Sequence, residues 1–153
     1  MIKIASLLAL SCALSQPVAA TTIEVGVQWN VVPGFNAQWI GATGGGCNAP
    51  NQGGVNCAQI PSGMFLRDCR GTMTAKMGGE ELLGRLVVGN GGNFEQLWVG
   101  EMFGQSTQVV QAPMLNPEAD SFLSGGNSVW VEYQANAPGY GGGLEFQVTC
   151  TVW

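Results

Sequence analysis

Catalysis needs groups that trade protons, hold metals or attack, and this chain is short of them. It has no histidine in 153 residues. That removes Ser-His-Asp and Cys-His nucleophiles in their usual forms, and with them the histidine-based zinc, copper and non-haem iron sites. The glycine clusters at Gly44–Cys47 (GGGC), Asn90–Asn93 (NGGN) and Tyr140–Leu144 (YGGGL) lack the strand-before, helix-after context of a phosphate loop. No cofactor is therefore expected. What remains is carboxylates. Glu95 and Glu101 flank one strand region, Glu118 and Asp120 lie in a loop, and Glu132 and Glu145 lie in the last two strands. A glycosidase needs two carboxyls about 5 to 10 Å apart across a cleft. Glu132 and Glu145 could be cross-strand neighbours, but alternation turns both outward, where solvated surface charge is expected. Glu118, Asp120 and Asn116 offer oxygens of the kind calcium takes, yet without EF-type spacing a plain polar loop is expected. No metal ligand and no catalytic residue is assigned.

The tryptophans offer recognition instead. Trp130 alternates with Val129 and Val131, and Trp153 follows Val152, so both point away from a valine face. Trp98 sits between Leu97 and Val99 in a strand whose inward face is ambiguous, and Tyr140 lies in the loop before the last strand. Aromatic rings on an outer sheet face bind sugars or anchor a protein partner. Otherwise they cover a second apolar layer. Trp130, Tyr140, Trp98 and Trp153 are the candidate binding residues, with Trp130 expected at the centre and dispensable for stability.

The elements that must position these residues read as strands. Ile23, Val25, Val27 and Trp29 alternate with polar residues, as do Leu144, Phe146, Val148, Cys150 and Val152. A period of two is the signature of a half-buried strand. Further strands are expected around Gln38–Ile40, Met64–Met77, Leu82–Val88, Glu95–Phe103, Thr107–Gln111 and Ser128–Tyr133. Glu80–Leu83 is the one plausible helical turn. Asn136 to Gly143 is expected to close a long-looped hairpin between the last two strands, and Gly41–Gly63 reads as a loop. About eight strands at this spacing predict a single antiparallel β-sandwich.

The first twenty residues are expected to be a signal peptide cleaved after Ala20, leaving 21–153 as one secreted domain. Losing Lys3 takes the net charge from −5 to about −6, with no basic patch for nucleic acid or anionic lipid. No later segment is apolar enough to be expected in a membrane, so no insertion is expected after signal cleavage. Cys47, Cys57, Cys69 and Cys150 remain, an even number that implies two disulfides in an exported chain. Cys69 and Cys150 both fall on apolar strand faces, whereas Cys47 and Cys57 bracket a loop. The expected pairs are Cys69–Cys150 and Cys47–Cys57.

The order CAQIPSGMF (Cys57–Phe65), SGGNSVWVEYQAN (Ser124–Asn136) and GGGLEFQV (Gly141–Val148) resembles a CUB or CUB-like extracellular domain. The resemblance implies a jelly-roll-like sandwich that binds an extracellular protein or carbohydrate without catalysis. The cysteine spacing departs from the usual CUB pattern, and no calcium ligand carries over. A rival class is an exported assembly subunit that donates its first strand to a neighbour, in which case self-association is expected. A carboxylate hydrolase is the third class. In a bacterium, the same leader would deliver the chain to the periplasm or cell surface.

Overall fold

The computed structural model describes residues 19–31, 36–41, 57–76, 81–90, 92–135 and 142–153. Residues 1–18 of the expected signal peptide, Cys47 and Tyr140 lie outside them. Nine strands are described: β1 (Thr21–Val31), β2 (Asn36–Gly41), β3 (Cys57–Gln59), β4 (Leu66–Ala75), β5 (Leu82–Gly89), β6 (Phe94–Met102), β7 (Ser106–Pro113), β8 (Ser128–Ala135) and β9 (Gly142–Val152). One sheet, called A, has the order β1-β9-β4-β7. The other, B, has the order β2-β8-β5-β6, with β3 pairing the beginning of β8. All pairs are antiparallel. The chain is an all-β sandwich.

The alternating apolar residues meet between the sheets. Val25, Met73 and Phe146 from sheet A pack with Leu86, Val131 and Tyr133 from sheet B in one continuous core. Each large aliphatic side chain removed from water there contributes about 1.5–3 kcal/mol. Trp98 also turns inward, its ring meeting Phe146 edge-on at 5.8 Å. Its ambiguous parity has a cause: the β5–β6 register slips between Leu86 and Val87, leaving Leu97 as an extra residue. A β-bulge of this kind lets both Leu97 and Trp98 pack against the core.

Three sequence expectations are corrected. The last two strands are not a hairpin: β8 lies in sheet B and β9 in sheet A, between β1 and β4. Alternation specifies a buried face but not a partner, and only a tight turn forces neighbours to pair. Glu132 and Glu145 therefore sit on opposite sheets. Cys57–Gln59, expected to be loop, forms β3 against Ser128–Trp130. Leu82 and Leu83 begin β5 instead of a helical turn, and among the described residues the helical turns are single 3-10 turns at Pro117–Ala119 and Ser121–Leu123.

The Cys69–Cys150 disulfide is present, joining directly opposed residues of β4 and β9. Closing a loop this long stabilises the fold by on the order of 4 to 5 kcal/mol in the chain-entropy model. Two disulfides were expected, and among the described residues this is the one pair seen complete. Cys57 is itself disulfide-bonded. A formed disulfide indicates a non-reducing setting. No helix among the described residues is long and apolar enough to cross a membrane. β1 pairs with β9 residue for residue from Thr21↔Val152 to Val31↔Gly142, so the first strand completes its own sheet.

Candidate functional site: two arginine–aromatic clusters

Two arginines are each held by a glutamate and bracketed by two aromatic rings, one on the outer face of sheet B and one at an end of sheet A.

The first cluster is built on β5 and β8, whose register sets Arg85 opposite Glu132 and Val87 opposite Trp130. Arg85 Nε and Nη2 both donate to Glu132 Oε2, each at 2.5 Å. Trp130 Nε1 donates to the other carboxylate oxygen, Oε1, at 2.9 Å. The Arg85 guanidinium lies 4.1 Å from the Trp39 ring centroid and 5.0 Å from that of Phe94. Phe94 also meets Trp130 edge-on. The ion pair is nearly dry, with 12% and 9% of the two side chains exposed. Gly41 makes room for this: a Cβ there would stand 2.5 Å from Glu132 Cγ and 2.6 Å from the Val131 carbonyl oxygen.

Trp130 does point away from the central core, as alternation requires, but it is not a surface residue. It is 5% exposed and packs with Cys57 and Val87 in a second, smaller apolar cluster. Glu132 likewise is buried, not the solvated charge expected. Both corrections share one reason. β8 is a central strand covered on both faces, and its outward row is satisfied internally by Arg85 and the rings beside it.

The second cluster rests on another bulge. Between β4 and β9 the register jumps from Leu66↔Val152 to Asp68↔Thr151, which leaves Arg67 as the extra residue. Bulges re-aim side chains, and here Leu66 and Cys69 both enter the core while Arg67 turns out. Beyond the bulge the pairing resumes: Phe65 N–H donates to the Trp153 carbonyl at 2.9 Å, and Trp153 N–H to that of Phe65 at 3.1 Å. The Arg67 guanidinium then sits 5.8 Å from the Phe65 ring centroid and 5.4 Å from that of Trp153. Its Nη2 donates to Glu118 Oε1 at 2.5 Å. That hydrogen bond, with the Arg67 charge adding, holds Glu118 below the usual carboxylate range. Unlike Arg85, Arg67 leaves its Nε without a partner among the described residues. Trp153 is 52% exposed and Leu115, nearby in sequence to Glu118, is almost wholly so.

The remaining carboxylates separate into pairs. Glu145 binds Lys76 at 2.7 Å, chiefly through which it is held below its ordinary value. Glu95 shares a hydrogen bond with Asp120, which raises it above the ordinary carboxylate value, and burial and the Asp120 charge push the same way. Glu101 is raised in the same manner by Glu81. The described residues contain no group of three or more metal-ligating side chains. A shallow depression of about 460 Å³ lies on the outer face of sheet A, lined by Glu24, Gly26, Gln147 and Thr149, and neither acid pair lines it.

Of the expected binding residues, the structure places Trp153 at the surface, Trp98 against the core and Trp130 in a buried cluster. Sequence reasoning passed over Arg67, Arg85, Trp39, Phe65 and Phe94. One signal was available for the buried pair: Arg85 and Glu132 are each the lone charge within an apolar strand, LLGRLVVG and SVWVEYQA. Buried charges are found paired, so each implies the other. Comparison of the chain with family models, curated proteins and solved structures finds no match.

Proposed function

We propose that this chain is a secreted, non-catalytic recognition domain that holds a carbohydrate against Trp153, beside Arg67 and Glu118. The observation that carries this is the exposed Trp153 ring fixed next to a guanidinium that is itself oriented by a carboxylate. A pyranose presents an apolar C–H face and a rim of hydroxyls. An indole face takes the first, while Arg67 donors and Glu118 acceptors suit the second. The sandwich end is also where such folds carry binding residues. Trp130 is instead buried packing on the outer face of the other sheet.

The strand order supports the wider reading. With β3 taken as a short companion of β2, the two sheets have the order of an eight-stranded jelly roll, an architecture that includes lectin domains. CUB-like kinship belongs to this proposal too, resting on the segments Cys57–Phe65, Ser124–Asn136 and Gly141–Val148. Non-catalysis is supported by the engagement of Glu118, Glu132 and Glu145 with cations. A protein partner is the second reading, favoured by the exposed Leu115.

The test is a glycan-array screen of the labelled 21–153 domain alongside its Trp153→Ala variant. Retention of a defined saccharide class by the first and not the second is expected. A blank array, or equal retention by both, removes the carbohydrate reading.

A further inference from the structure

The four sheet edges of this sandwich are not equally protected. An end strand leaves every other N–H and C=O unpaired, and proteins guard such strands with charges, bulges or shortness. β6 carries Glu95, Glu101 and the Leu97 bulge. β2 is broken by a register shift between Asn36 and Ile40, and β3 has only three residues. β1 carries the exposed Glu24. β7, STQVVQAP, pairs unbroken with β4 over eight residues and has none of these guards before Pro113, its last residue. It lies inside a stretch without charge that runs from Met102 to Pro117, between Glu101 and Glu118.

We propose that β7 pairs with β7 of a second copy of this chain, antiparallel about a two-fold axis at Val109. The four-stranded sheet A would then continue across the axis into its copy. The identity of the occupant follows from charge and symmetry. A chain of net charge −5 repels its own copy over most of its surface, so a self-contact needs an uncharged strip. A two-fold contact also needs a strip complementary to itself. Thr107, Val109 and Gln111 form the outward row of β7 and are all exposed, Val109 at 61%. About the axis, Val109 meets Val109 and Thr107 meets Gln111. The apolar pair is central and the hydrogen-bonding pairs flank it.

Sedimentation equilibrium of the 21–153 domain, run from micromolar to millimolar, reads the association directly. A monomer–dimer equilibrium is expected. Val109→Lys sets two like charges against each other at the axis and should weaken the dimer by at least about tenfold. The double variant Thr107→Lys/Gln111→Glu places opposite charges across the axis and should dimerise at least as well as the parent. Both changes lie on exposed side chains, and far-ultraviolet circular dichroism checks that each variant folds. A monomer throughout the range overturns the proposal, as does a dimer indifferent to Val109→Lys or abolished by the double variant. A monomer that instead takes up an extended peptide along β7 also overturns it, in favour of a foreign strand.

Discussion

The Arg85–Glu132 and Arg67–Glu118 clusters use the same three kinds of part and come to opposite ends. Each has an arginine, a glutamate and two aromatic rings about the guanidinium; the first pair stands on neighbouring antiparallel strands, whereas the second draws its glutamate from the 3-10 turn Pro117–Ala119. In the first, both guanidinium donors converge on one carboxylate oxygen, an indole satisfies the other oxygen, and 12% or less of either charged side chain reaches water. In the second, a single Nη2 contact joins side chains that are 27% and 54% exposed. Their position decides the outcome. β8 and β5 are interior strands of sheet B, whereas Arg67 sits on a bulge at the very start of β4, at an end of sheet A. A buried ion pair is costly to break, because one removed partner strands the other in low dielectric. An exposed pair holds little stability but presents its donors and acceptors to a ligand. The first cluster therefore serves the fold, and the second is the one we propose for recognition.

The largest expected effect comes from splitting the buried pair. Glu132→Leu should lower unfolding free energy by about 3–5 kcal/mol, because Arg85 is left uncompensated. The double change Glu132→Leu/Arg85→Met should cost markedly less than Glu132→Leu alone. Urea titration of both variants checks this, and equal losses would mean the pair is not coupled. Trp130→Ala should cost about 3–5 kcal/mol as well, since it empties a packed site. That reverses the sequence expectation that Trp130 is dispensable. A melting temperature close to the parent would restore Trp130 to the surface.

The exposed cluster should respond in function and not in stability. Trp153→Ala should weaken saccharide binding by about 2 kcal/mol, the scale of a hot spot, with the melting temperature nearly unchanged. Glu118→Gln should leave thermal stability close to the parent, as exposed ion pairs do, while loosening the orientation of Arg67 and so weakening binding less than Trp153→Ala does. Calorimetry on the same preparations reads both quantities.

The smallest effect is in the acid limb. Glu118 is held below its ordinary value in the folded state. Its contribution is present above that ordinary value and is lost as pH falls through the lowered one. Glu95 is raised by Asp120, so the sign reverses. The folded state gives up stability as pH rises from the ordinary carboxylate value through the raised one. Glu95→Gln should flatten that decline, and Glu118→Gln should flatten the loss on the acid side. Denaturant midpoints measured across the carboxylate range separate the two.

How much of this was legible in the chain follows from what a period of two encodes. Leu144, Phe146, Val148, Cys150 and Val152 alternate cleanly, and β9 buries that row while Gln147 and Thr149 stay exposed. The same period in Ser128–Tyr133 correctly set Val129 and Val131 inward, but it could not show that the other face was covered too. Cys69 and Cys150 could be paired because both lie on apolar rows. Partners of strands were not legible, since nothing in β8 or β9 specifies which sheet receives it. The two bulges were hidden for a related reason: one extra residue shifts parity only once the opposing strand is known. That concealed Arg67 altogether and left Trp98 ambiguous.

The division of labour between the clusters is tested most directly by the indole N–H signals of the ¹⁵N-labelled chain. Neutral hexose and N-acetylhexosamine oligosaccharides are titrated in while the tryptophan side-chain cross-peaks are followed. The expected result is a saturable shift of the Trp153 indole signal, with that of Trp130, held by Glu132, unmoved. Movement of Trp130 with Trp153 static, or no movement of either, would contradict it.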